Sequence, residues 1–204
     1  MKSARQEILE KLQNTSHSLP VAPDFDTPVY HPIEKPLEMA FKKSLERVNG
    51  SVHLFETENE LFTALHHFLQ KFSEKNICCR EPRIQKKLHT YNIPYSTDDK
   101  LNEHMEAGLT GCEFLIAHTG SIMVSSAQAG SRQMFVYPPV HVVIASKSQV
   151  VEYLENAYSY IVEKYQNSLP SQISLITGPS RTADIEKTLI LGAHGPREVH
   201  VFIA

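Results

Sequence analysis

From Leu37 onward the chain alternates amphipathic helical stretches with short β-prone apolar runs, and this alternation restricts it to an α/β fold. Leu37, Ala40, Phe41, Leu45 and Val48 recur at helical spacing until Asn49-Gly50 stops them. Residues 52–55 then read as a strand. Thr57 and Glu60 form a capping box for the next helix, whose apolar face carries Leu61, Leu65, Phe68, Leu69 and Phe72. Ile77-Cys78-Cys79 is a second strand, followed by a short helical piece and Ile93-Pro94-Tyr95. In the second half, residues 114–117, 121–125, 140–145, 173–177, 188–191 and 199–203 are apolar and β-prone. Ser146 with Gln149 is expected to cap one long helix reaching about Tyr165. The expected architecture is a mixed or parallel sheet flanked by helices, with the last strand paired into the sheet.

The first 36 residues obey different rules. Ser3 and Gln6 make a capping box, and Ile8, Leu9 and Leu12 share one face, so a short helix is expected over residues 3–14. Residues 15–36 hold five of the twelve prolines. Proline at that density removes backbone donors and fixes φ, which excludes both a helix and a central strand. The expected organisation is therefore an N-terminal helix and Pro-rich linker over residues 1–36, then an α/β domain over 37–204.

Three cysteines in 204 residues, two of them adjacent, cannot build a disulfide framework and fall short of the four thiolates an iron–sulfur cluster takes. A formal net charge of −3 argues against a nucleic-acid partner. No apolar run reaches the ~18 residues of a membrane span, and Met1 to Glu7 has no apolar signal core, so a cytoplasmic location is expected. The sequence has no dinucleotide glycine fingerprint and no phosphate-cradling loop with its lysine. Glu103, His104 and Glu106 lack a second histidine at helical spacing, and His66 and His67 lie on neighbouring helix faces, so no metal site is expected.

Three turns combine residue types able to hold a ligand. Gly178-Pro179-Ser180-Arg181-Thr182-Ala183-Asp184 follows a β-prone run and reads as a strand-to-helix turn. Its backbone N–H groups would suit a carboxylate or phosphate, with Arg181 adding a bidentate fork. Equally, Ser180, Thr182 and Asp184 can simply cap a helix while Arg181 pairs with Asp184 or Glu186. Thr119-Gly120-Ser121 is a second turn, where glycine permits close approach of a ligand or merely a tight bend. His194-Gly195-Pro196 is the third, with His194 an acid–base group or a turn-stabilising donor. Cys112, after Thr110-Gly111, reads as a small buried hydrophobe.

At these segments the chain resembles the LUD-domain proteins of bacterial lactate utilisation, in the LutC/YkgG branch. The resemblance rests on Gly108-Leu109-Thr110-Gly111-Cys112-Glu113, Ile116-Ala117-His118-Thr119-Gly120-Ser121, Gly178 through Glu186, and Leu191-Gly192-Ala193-His194-Gly195-Pro196. It covers the C-terminal half well, and this chain carries His118 where many members have an acidic residue. It implies a fold similar to the NagB/RpiA/CoA-transferase group and the role of an accessory subunit in oxidising L-lactate to pyruvate. The iron–sulfur clusters would then sit on partner proteins, because this chain shows no cofactor motif of its own. An anionic small-molecule ligand is implied as well, and self-association into a homo-oligomer is compatible with it. The alternative is a stand-alone enzyme on a phosphorylated sugar, a CoA ester or a folate. Its parts would be the Gly178 turn, Arg181, the Thr119-Gly120 turn and a base among His118, His194 and Glu113.

Overall fold

The computed structural model describes residues 3–13, 21–22, 30, 32–97, 104–128, 132–182, 190–191 and 195–204, the side chains of 182, 190 and 191 excepted. The chain divides into two units, residues 1–32 and 33–204. In the first, α1 (Ala4–Gln13) begins where Ser3 and Gln6 exchange hydrogen bonds, Ser3 N donating to Gln6 Oε1 and Gln6 N to Ser3 Oγ.

In the second unit Ile33 and Leu37 pack together against the core at the start of α2 (Leu37–Arg47). The chain then enters β1 (Ser51–Leu54). The helix α3 (Glu58–Leu69) starts at the Thr57–Glu60 capping box, with both reciprocal bonds present. After β2 (Ile77–Cys79), Glu81 is held extended by the proline that follows it, and α4 (Pro82–Thr90) begins. A central strand, β3 (Ala107–Thr110), carries glycine and threonine and so lacks the apolar run that marks the others. Its Gly108 is required by packing, since a Cβ there would lie 2.4 Å from the Pro138 ring.

The strands β4 (Phe114–Ile116) and β5 (Ser121–Ser125) form a hairpin, and β6 (Val140–Ala145) follows. The reciprocal Ser146–Gln149 capping bonds exist, but they head one 3-10 turn rather than the expected long helix. The chain instead forms β7 (Val150–Val151), whose β-branched pair is drawn into register beside Leu115 and Ile116. The helix α5 (Leu154–Tyr165) starts only after that strand. Next come β8 (Ile173–Ile176), β9 (Arg181–Thr182), β10 (Ile190–Leu191) and β11 (Glu198–Ile203).

The central sheet runs β1-β11-β6-β3-β2 and every neighbouring pair in it is parallel. Parallel sheets bury both faces, and β6 shows how. Val140 and Val142 face α3 and α4 among Leu61, Leu65, Ile84 and Leu88, while Val143 and Ala145 face Phe41 and Leu45 of α2. A second sheet, β7-β4-β5-β8, turns Leu115, Ile122 and Val124 toward that same α2 layer. Its other face, with Ile116 and Met123, is covered by Ala157 and Ile161 of α5. No helix among the described residues is long and apolar enough to cross a membrane.

Candidate functional site

The sequence-predicted residues fall at two ends of the molecule. At the amino ends of β6 and β11, the Thr119-Gly120-Ser121 and Gly178 turns lie side by side. Thr119 Oγ1 and Ser121 Oγ are 2.7 Å apart, and Ser121 Oγ is 2.8 Å from Thr177 Oγ1, so one hydroxyl chain links the turns. Both glycines have positive φ, +69° at Gly120 and +81° at Gly178. Both are pressed onto α2 and its end: a Cβ on Gly120 would lie 2.4 Å from Leu45 N, and one on Gly178 2.4 Å from Val48 O. The space each glycine leaves is therefore filled by the chain itself.

Ser180 N donates to Pro196 O at 2.8 Å, and Gly195 packs on the Ser180 side chain, which brings two of the quoted segments together. The residues that would continue a helix after Ser180, 183–189, lie outside the described residues. Arg181 and Thr182 are extended and pair antiparallel with Leu191 and Ile190, so Ser180 does not itself head a helix. Arg181 is exposed. His118 is exposed too, its ring tilted against Tyr153 at 5.5 Å, while Ser44 Oγ donates to the His118 carbonyl at 3.4 Å. Asp184 and His194 lie outside the described residues.

Glu113 belongs to the other end. The ladder of β4 separates it from the Thr119-Gly120 turn by about 10 Å. The carboxyl ends of β2, β3 and β6 open there on a cavity of about 360 Å³, within the range of small-molecule sites. Open α/β sheets bind ligands outside the carboxyl ends of their strands, because loops leaving parallel strands converge there with unpaired backbone groups. The side built by α3, α4 and β6 carries Leu61, Phe62, Ile84 and Ile144, with Glu58, Arg83 and Lys87 of the same helices also lining it. The opposite wall is polar.

Glu113 is buried and fully engaged. Its Oε1 accepts from Ser125 Oγ at 2.5 Å and from Tyr165 OH at 2.8 Å, and its Oε2 accepts from Lys164 Nζ at 2.7 Å. Burial pushes the carboxyl up, but the bonds from Lys164, Ser125 and Tyr165 outweigh it and hold the group below its ordinary range. The pair in turn keeps Lys164 charged, overcoming its own partial desolvation. Gln149 fixes the loop from the other side, Nε2 donating to the Cys112 carbonyl at 2.6 Å and the Glu113 carbonyl at 3.3 Å. Burial also pushes the Cys112 thiol up, with Glu81 and Glu113 adding to it, so this cysteine is a buried protonated thiol.

Glu81 is the residue that the sequence reading did not single out. Only 9% exposed, it turns away from the helix it precedes, and its Oε1 accepts from Gly111 N at 2.9 Å. Burial raises its pKa, and the nearby Glu113 charge raises it further against the opposing effects of the Gly111 bond and Arg83. Two carboxyls of one cavity are thus driven apart, one toward its acid and one toward its anion. At the mouth, Arg83 is exposed and makes no ion pair with a described residue, whereas Lys87 is bound to Glu58 at 2.6 Å. The only sequence signal for Glu81 was its place after an apolar strand and before a proline.

Compared with known proteins, residues 38–204 match the family described as LUD domain. The uncharacterized protein NMB1437 of Neisseria meningitidis serogroup B is 34% identical over 117 residues, 57% of this chain and 47% of that one. Lactate utilization protein C of a Geobacillus species is 34% identical over 107 residues, 52% of this chain and 42% of the relative. That of Bacillus subtilis is 34% identical over 99 residues, 48% of this chain and 41% of the relative. In each case the match spans less than half the relative's length. The crystal structure of a DUF162 family protein from Deinococcus radiodurans superposes with a TM-score of 0.62 at 19% identity, covering 84% of this chain and 99% of that one. That likeness shows a shared fold.

Proposed function

This chain belongs to the LUD-domain family, and from that premise we propose that it serves a lactate-utilisation system as an accessory subunit. The observation that carries the reading is its one-third identity to proteins named lactate utilization protein C. The carboxyl-end cavity is its ligand site, and the ligand is an anionic small molecule, because Arg83 is a cation at the mouth that no described residue pairs. Iron–sulfur partner proteins carry the electrons. The state of the cysteines supports this division: all three are buried, and burial pushes Cys79 up to about 12, whereas cluster ligands must be thiolates.

The test is a deletion strain grown on L-lactate and complemented with the chain. Loss of growth on deletion, restoration by complementation, and co-purification of iron–sulfur proteins with the tagged chain are expected. Undiminished growth after deletion, in a strain without a second copy, overturns the role.

A second reading has an observation of its own. Carboxyls whose environments push them toward opposite protonation states mark an acid and a base in many enzymes, and Glu81 and Glu113 are such a pair. Turnover of a phosphorylated sugar, CoA ester or folate by the isolated protein would establish a stand-alone enzyme and displace the accessory role.

A further inference from the structure

Strand β8 closes one end of the second sheet, pairing with β5 on one side and with no described strand on the other. The pairing fixes which backbone groups face out. Ser126 N donates to Gln172 O at 2.9 Å, while Met123 O is taken by Glu113 N on the β4 side at 2.8 Å. Gln172, Ser174 and Ile176 therefore turn their backbone groups toward β5, and alternation points those of Ile173 and Leu175 away from the sheet. Nothing among the described residues bonds them there.

Sheet edges are ordinarily blocked by charge, brevity or a covering segment, because unpaired backbone groups recruit another strand. Strand β2 is covered in this way: Cys79 N donates to Ser96 O and Ser96 N to Ile77 O. Strand β7 has only two residues. Strand β8 has no such device, and no charged residue occurs between Lys164 and Arg181. The surface beside it is apolar. Leu175 is the register partner of Met123, so it lies on the face that Ala157 and Ile161 of α5 cover, yet it is 45% exposed. Because α5 connects the parallel strands β7 and β8, the right-handed sense of such a crossover turns its Leu154–Tyr158–Val162 flank toward β8. Those three side chains are 42, 57 and 37% exposed. With Leu175 they leave on the order of 400 Å² in water, half of the ~800 Å² that each partner of a stable pair buries.

We propose that a second copy of this chain covers this edge, β8 pairing antiparallel with β8 of the partner subunit about a two-fold axis at Ser174. The outward groups are self-complementary: Ile173 of one copy and Leu175 of the other exchange N–H···O=C bonds on either side of the axis. Ser174 then faces its own counterpart in a non-hydrogen-bonded pair, with Cα atoms about 4.5 Å apart. The two sheets become one, and the apolar flanks of both α5 helices line the same face of it beside the axis. An uncharged edge offers a different partner no charge to match, whereas it matches itself. This pairing depends on neither the ligand site nor the lactate role.

The test is sedimentation equilibrium of the full chain at about 1 to 100 µM, a range over which mass action reveals association, with folding of every variant checked by circular dichroism. A mass twice that of the 23.1 kDa chain is expected. It should not change between about 0.05 and 0.5 M salt, because the contact is uncharged. Leu175→Lys puts a charge into the joined edge and should weaken association at least tenfold. Ser174→Cys should form an intermolecular disulfide on mild oxidation, since Cα atoms about 4.5 Å apart are within bonding range and the three native cysteines are buried. Ser159→Cys, exposed on the solvent side of α5, should not.

A wild-type chain that stays monomeric at the highest concentration overturns the pairing and leaves the edge to a different protein. A folded Leu175→Lys chain that associates as the wild type does overturns it too, since the contact would then lie elsewhere. Dissociation by salt would mean a charged interface and has the same consequence. If Leu175→Lys does not fold, the cysteine variants still decide. Cross-linking of Ser174→Cys well ahead of Ser159→Cys supports the two-fold pairing at β8, and cross-linking no faster than that of Ser159→Cys refutes it.

Discussion

The two ends of the central sheet use glycine in opposite ways. At the amino ends, Gly120 and Gly178 make room for the backbone at Leu45 and Val48, and neighbouring hydroxyls bond one another. At the carboxyl ends, a Cβ on Gly111 would meet side-chain ends rather than backbone, Glu81 Oε2 at 3.0 Å and Gln128 Nε2 at 3.5 Å, and Gly111 lines the cavity. A conspicuous glycine is therefore informative about a ligand only when the fold places it on a cavity wall. The residues most prominent in the sequence lie at the packed end, and the cavity lies at the other.

Substitution breaks the comparison most directly. Gly120→Ala and Gly178→Ala combine a left-handed backbone with overlap against main chain, so each is expected to cost about 3–5 kcal/mol in urea unfolding or to prevent folding. Gly111→Ala should cost less than about 1 kcal/mol, since its nearest neighbour is the end of a Glu81 side chain that can shift. Equal losses at all three positions would erase the distinction.

Glu113→Ala is expected to lose about 2–4 kcal/mol, because it removes three hydrogen bonds and leaves their donors facing a void. The sign of its pH dependence follows from its depressed pKa. The Glu113 contribution is present above the ordinary carboxylate value of 4.5 and is lost as pH falls through the lower value of the folded state. A Glu113→Ala chain with an unchanged urea midpoint would show that the cluster is not structural.

His141, in the core between the two ends, gives a smaller effect at milder pH. It is fully buried, its Nε2 2.8 Å from Thr110 Oγ1, and burial lowers it from 6.5 to about 4. Between those values the unfolded chain binds the proton and the folded chain does not, so stability falls as pH drops. By pH 5 the loss is about 2 kcal/mol, and His53 and His200, also held down by burial, add in the same direction. Urea midpoints at pH 7 and pH 5 measure it, and a His141→Gln variant should show a shallower dependence. The smallest effect sharpens the contrast from the cavity side: Glu81→Gln should raise the urea midpoint at neutral pH, since it removes a carboxyl that burial penalises when ionised.

Features encoded within a few residues were legible in advance. The capping boxes at Ser3 and Thr57 formed as read, as did the helical stripe over α2 and the alternation that implies an α/β sheet. The Ser146–Gln149 box was equally legible, yet what followed it was not, because Val150-Val151 pairs with a strand more than thirty residues earlier. The site shows the same division. Glu113 was visible as one candidate among many, but Lys164 and Tyr165, 51 and 52 residues away, are what make it an anchored anion.

The sequence by itself determined the kinds of elements, their order and the family resemblance, since caps, periodicity and motifs act between residues close in the chain. Only the tertiary structure decided which glycine faces a cavity and which carboxyl is held as an anion. Parallel strands align their carboxyl ends in space while keeping them far apart in sequence, so Glu81 and Gly111 meet only once β2 and β3 have paired.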